Sequence, residues 1–152
     1  MPENITFSLE SDGNAVSTEL QILSVTVDRA ADRIPSAQVI IADGSPAEGD
    51  FRWSNAEDFA PGRTLTVKAG IAGDESTLFA GVIVRHRIQV KESGRSRLHL
   101  DVRDPFFRTT LHRVNRLFEE ETDAGVISEI VGEYSLSAEA EATDPTHPVL
   151  VQ

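Results

Sequence analysis

Val84-Arg85-His86-Arg87-Ile88-Gln89-Val90-Lys91-Glu92-Ser93-Gly94-Arg95-Ser96-Arg97-Leu98-His99-Leu100-Asp101-Val102-Arg103 alternates apolar and polar residues on both sides of a short polar break. A period of two is the signature of a β-strand with one face buried. Glu92-Ser93-Gly94 has the length and terminal glycine of a three-residue hairpin loop, a type I turn closed by a left-handed residue and a bulge. Pairing Lys91 with Arg95 then sets the register. Val84, His86, Ile88 and Val90 fall opposite Val102, Leu100, Leu98 and Ser96, so the apolar residues of both strands share one face. Arg85, Arg87, Gln89, His99, Asp101 and Arg103 occupy the other.

The same rhythm extends back to Ile5, with runs rich in Val, Ile, Leu and Thr separated by Gly, Pro, Asp and Asn. Strands are expected at Ile5 to Glu10, Gln21 to Asp28, Ser36 to Ala42, Thr64 to Ile71, Thr77 to Lys91 and Arg95 to Arg103. A long irregular stretch from Asp43 to Gly62 separates the third and fourth and holds Trp53, the single tryptophan. Loops of this length are usually functional or contact surfaces. After Asp104-Pro105 the pattern changes. Thr122 and Asp123 offer helix caps, and Val126, Ile127, Ile130, Val131 and Tyr134 recur at helical spacing to about Ser135. Glu119, Glu120, Glu121 and Asp123 would crowd that helix start, where the dipole favours negative charge. Leu136 to Gln152 contains one more strand-like run followed by Asp144-Pro145-Thr146-His147-Pro148, with no visible closing element. The expected class is mainly β with some helix, in two parts: residues 1–106 as a β-barrel-like domain and 107–152 as the helix-containing start of a second, truncated α/β domain.

Composition narrows function. The 152 residues contain 14 Lys plus Arg against 25 Asp plus Glu, a formal charge of -11, and no cysteine. Such a balance repels nucleic-acid phosphates and anionic lipid, so neither is an expected partner. The absence of cysteine removes disulfides, thiolate metal sites and thiol nucleophiles. The first residues lack the basic and apolar regions of a signal peptide, and no apolar run is long enough to span a membrane, so a cytoplasmic protein is expected.

The search for chemistry is brief. The hairpin register sends His86 and His99 to opposite faces, and neither His112 nor His147 belongs to a metal-ligand spacing. There is no Gly-x-Ser-x-Gly elbow, and Gly70-Ile71-Ala72-Gly73 before Asp74-Glu75 reads as a polar turn. Asp43, Glu48 and Asp50 could hold a calcium ion but lack the alternating acid spacing of a calcium loop. Asn4-Ile5-Thr6 is a glycosylation sequon without an export signal. No catalytic, cofactor or metal residue is therefore assigned, and no cofactor is expected. The basic residues of the hairpin stand out instead. Arg85, Arg87, Arg97 and Arg103, with Lys91 and Arg95, form a basic strip on an acidic molecule, which reads either as a solvated sheet face or as a docking face for an acidic partner or another copy of the chain. These four arginines, with Trp53 in the long loop, are the candidate subunit-contact residues.

Longer segments add a resemblance. Leu23-Ser24-Val25-Thr26-Val27-Asp28, Arg33-Ile34-Pro35-Ser36-Ala37 and Val39-Ile40-Ile41-Ala42-Asp43-Gly44 are followed in order by Asp50-Phe51, Ser54-Asn55, Phe59-Ala60-Pro61-Gly62, Val67-Lys68-Ala69-Gly70 and Leu78-Phe79-Ala80-Gly81-Val82-Ile83. Ser96-Arg97-Leu98, Arg103-Asp104, Thr122-Asp123, Val126-Ile127-Ser128 and Thr146-His147-Pro148 with Leu150-Val151-Gln152 complete the series. Together they resemble the opening of the Rhs-element Vgr family, the VgrG spike proteins of type VI secretion, over about residues 20–152. The resemblance implies a phage tail hub-like β-barrel and a structural, non-catalytic role at the head of a contractile injection machine. It also implies a homotrimer in the full-length protein, an inner tube protein and a spike tip as partners, and assembly in the cytoplasm followed by export with the machine. The chain would be an N-terminal piece of such a protein. Two other readings remain: a carbohydrate- or small-ligand-binding β module stacking its ligand on Phe51 and Trp53, and a hydrolase pairing Asp or Glu with His86 or His112.

Overall fold

The structure is a computed structural model that describes residues 5–44, 49–71, 73–91 and 96–151. The chain divides into two compact units, Met1–Asp104 and Pro105–Gln152.

The first unit is built on a seven-stranded antiparallel sheet. Its strands are β1 (Ile5–Ser11), β2 (Asn14–Ala15), β3 (Ile22–Asp28), β4 (Ser36–Asp43), β5 (Thr64–Ile71), β6 (Asp74–Gln89) and β7 (Ser96–Arg103), in the order β2-β1-β5-β6-β7-β4-β3. The alternation read from the sequence decides which face is buried. Leu98, Leu100 and Val102 of β7, Val39 and Ile41 of β4, and Leu65 and Val67 of β5 are all shut off from solvent. Leu9 of β1 joins the same buried cluster as Val39 of β4, although three strands separate them in the sheet. The sheet therefore curls around a single core.

Bulges supply the curvature. Strand β6 is 16 residues long and pairs with β5 through its first half and with β7 through its second. Its register shifts at Leu78 opposite β5 and at Val84 opposite β7, and each extra residue bends and twists the strand. The second shift corrects the expected pairing. Ile83, not Val84, lies opposite Val102, and Val84 sits in the bulge. Beyond it the expected register holds, with His86 opposite Leu100 and Ile88 opposite Leu98. The ladder ends at Gln89 and Arg97, and the Glu92-Ser93-Gly94 loop lies outside the described residues.

The long loop closes the core rather than avoiding it. A short 3-10 turn at Glu57–Phe59 drives Phe59 into the interior with no exposed surface. At the other end of β1, Asp12 accepts the Thr64 N–H at 2.8 Å and an Arg63 Nη1 hydrogen bond at 2.7 Å. The Arg63 guanidinium holds the Asp12 carboxyl below its ordinary range.

The second unit contains β8 (Leu117–Glu121), α1 (Asp123–Glu133) and β9 (His147–Val151), with β8 and β9 paired antiparallel. Thr122 is the helix cap, its hydroxyl accepting the Gly125 N–H at 3.1 Å. Val126 and Val131 are the buried helix residues. Two expectations change here. Glu119, Glu120 and Glu121 belong to a strand, although the Glu121 carboxylate still lies over the first helical turn against Gly125. The strand in the last segment is His147–Val151, after Asp144-Pro145 rather than before it, and it closes against β8.

Candidate subunit-contact surface

Because side chains alternate along a strand, a curled sheet with an apolar inside presents an independent outside. On β7 that outside carries Arg97, His99, Asp101 and Arg103. Register places Gln89 and Ala42 beside Arg97, Arg87 and Ile40 beside His99, Arg85 and Gln38 beside Asp101, and Val82 and Ser36 beside Arg103. The four sequence-predicted arginines thus share one face.

Asp101 organises its centre. Its carboxylate accepts Gln38 Nε2 at 3.1 Å and faces Arg85 Nε at 3.5 Å. The pairing neutralises Arg85 locally. Among the described residues, Arg87, Arg97 and Arg103 have no ion-pair partner. His99 sits among them, and its Nε2 is 3.4 Å from Gln89 Oε1. Burial, then the charges of Arg87 and Arg97, push the His99 imidazole below its ordinary value. An open depression of about 520 Å³ runs along this face between Thr26, Gln38, Arg85, Asp101 and Arg103.

Trp53 is not part of this surface. It packs half-buried against the core cluster, which lies on the opposite face of the sheet, with the Arg52 guanidinium 4.7 Å from its ring centroid. Its backbone N–H donates to Asp43 Oδ1 at 3.1 Å, while Ser54 donates to Asp43 Oδ2 from its N–H at 2.8 Å and from its hydroxyl at 2.5 Å. Burial alone would push the Asp43 carboxyl up. The hydrogen bonds from Ser54, Trp53 and Gly44 outweigh it and hold the group below the ordinary aspartate value of 3.8. Asp50 accepts from Phe51 N–H at 2.7 Å and Asn55 Nδ2 at 2.9 Å. Two of the three candidate calcium carboxylates are therefore committed to loop structure, and Glu48 lies outside the described residues.

Phe51 lies against Gly44, where an added Cβ would come within 2.9 Å of its ring. Phe51 is thus packed against the loop's own backbone and Trp53 against the core.

The histidines do not converge. His86 Nδ1 lies 3.1 Å from the Phe59 carbonyl oxygen, which can only accept, so that nitrogen carries the proton. His147 Nε2 is 3.0 Å from Asp123 Oδ1. His112 lines a shallow depression with Arg116, Glu133 and Tyr134, in which Arg116 and Glu133 form a two-pronged ion pair. Among the described residues, no three acidic or histidine side chains gather as a metal site.

The architecture is similar to that of several solved tail proteins. It is similar to the 43 kDa tail protein of prophage MuSo2 from Shewanella oneidensis (TM-score 0.71, 10% identity), covering 97% of this chain and 43% of that one. It is also similar to a tail protein from Neisseria meningitidis MC58 (TM-score 0.54, 15% identity, 86% of this chain and 34% of that one). A third likeness is to the c3393 protein of E. coli, a type VI secretion component described as structurally similar to T4 bacteriophage tail proteins gp27 and gp5 (TM-score 0.51, 11% identity, 99% of this chain and 36% of that one). The chain spans less than half the length of each of these proteins. No curated protein matches it in sequence. Over residues 2–152 the chain belongs to the Alg8 N-terminal domain family.

Proposed function

We propose that this chain is a structural part of a contractile injection apparatus, of the VgrG or phage tail hub kind, joining an inner tube to a spike. The observation that carries the reading is the fold likeness to the MuSo2 tail protein across nearly the whole chain. The role is mechanical, not catalytic. Three copies would form the hub, with an inner tube protein on one side and a spike tip on the other, assembled in the cytoplasm and leaving the cell with the machine. The exposed arginine face supports a contact role, since Arg87, Arg97 and Arg103 offer charge that nothing described in the chain neutralises.

Two measurements test this. Antibody raised against the chain should label one end of purified contractile particles, and the natively expressed protein should sediment as a trimer. Particles that lack the chain, or a strictly monomeric native protein, would overturn the proposal.

A further inference from the structure

Two places on the first unit carry core-face residues beyond the reach of the core. Along β1, exposure climbs from 3% at Leu9 to 48% at Phe7 and 65% at Ile5. Ile5 pairs with Ile71, itself 50% exposed, and Ile71 pairs with Asp74 at the start of β6. The β1–β5–β6 ribbon therefore ends in an apolar face with an acidic tip at Asp74, while Glu75 turns to the other face and accepts from Ser8. At the far end of β6 the same thing happens with opposite charge. Ile88 faces the interior beside Leu98 yet is 39% exposed, and Val90 beyond it is 66% exposed. Exposed Arg87 and Lys91 flank them.

We infer that these two overhangs are the two halves of one contact: the Ile5/Phe7/Ile71 face of one copy packs on the Ile88/Val90 end of the next, with Asp74 set against Lys91. Each patch alone is an exposed apolar surface, with Asp74 beside the first and Arg87 and Lys91 beside the second among the described residues. Brought together, they remove apolar area from water and pair opposite charges. The occupant is a second copy because the molecule carries both complementary halves, at the opposite ends of β6. The contact is head-to-tail, so repetition yields a ring if the rotation closes and a filament if it does not. This rests on the hub reading and adds to it the surfaces by which copies meet.

The chain has no cysteine, so introduced thiols report this contact without background. Ile5→Cys, Phe7→Cys and Ile71→Cys chains are each mixed with Ile88→Cys or Val90→Cys chains and oxidised mildly. At least one mixed disulfide should form roughly 10-fold or more faster than with an Asn14→Cys control, because held thiols see a far higher effective concentration. Lys91→Glu should slow it, and adding Asp74→Lys on the other chain should restore the rate. If every pairing oxidises at the control rate, the inference is wrong. A trimeric native protein with control-rate oxidation keeps the hub reading and moves the contact elsewhere. Fast mixed oxidation in a protein absent from the particles keeps the contact and removes the hub.

Discussion

Ser54 donates its hydroxyl to Asp43 Oδ2 at 2.5 Å, tying the long loop to the last residue of β4. With the backbone N–H groups of Trp53, Ser54 and Gly44 that also point at this carboxylate, the bond makes a buried aspartate, 5% exposed, the anchor of the Trp53 segment. Asp43→Ala leaves those donors unpaired and should cost about 2–4 kcal/mol in chemical denaturation. A loss below about 0.5 kcal/mol, ordinary for a surface site, would show that the loop is held some other way.

The same group gives a pH dependence. Its carboxyl is held below 3.8, so the unfolded chain takes up a proton first as the solution is acidified. The Asp43 contribution is complete above that value and is lost as pH falls through the folded-state value. Asp43→Asn should flatten the acid limb of the stability curve, measured by denaturation at successive pH values.

His99 should titrate below the ordinary histidine value of 6.5. Folding then disfavours its protonated form, so its contribution to stability is present above 6.5 and shrinks as pH falls below it. Arg87→Gln should raise the His99 midpoint observed by NMR without restoring it fully, because burial is the larger cause. A midpoint unmoved by the change would remove Arg87 as a neighbour.

Phe59 fills the core from a 3-10 turn. Phe59→Ala should cost about 3–5 kcal/mol, the range for a buried aromatic truncated in place. Gly81→Ala tests the opposite error. An added Cβ would meet the Arg103 carbonyl oxygen at 2.4 Å and the Phe79 ring at 2.8 Å, so backbone must move. A cost of about 1–3 kcal/mol is expected from thermal melts.

In the second unit, Thr122→Ala should weaken the helix by about 1 kcal/mol, while Thr122→Asp keeps an acceptor for Gly125 and should hold stability. Hydrogen exchange of the α1 amides reads both.

Much of the sheet was legible because alternation survives wherever one face is buried. Thr64–Ile71 carries its pattern in plain view, and the arginine face follows from the same count along β6 and β7. The bulge at Val84 was not legible, since Val82-Ile83-Val84 is apolar throughout and gives no signal of which residue steps out. Strands β8 and β9 hid for another reason. Leu117-Phe118-Glu119-Glu120-Glu121 has one buried residue, Phe118, and β9 contains Pro148, a residue that argues against a central strand. The packing of Trp53 was not legible, because its segment is held by Asp43, a partner ten residues away that no local periodicity announces.

Strand β6 also dictates the order in which the sheet can assemble. It joins β5 through a short turn and is followed directly by β7, so the β5–β6–β7 meander forms from near neighbours along the chain. The outer seams are different, for Ile5 must find Ile71 and Ser36 must find Arg103. Pairings this remote are slow to nucleate. In the folded sheet β1 covers one flank of this meander and β4 the other, so a chain that lost either strand would present an open edge to a neighbouring chain.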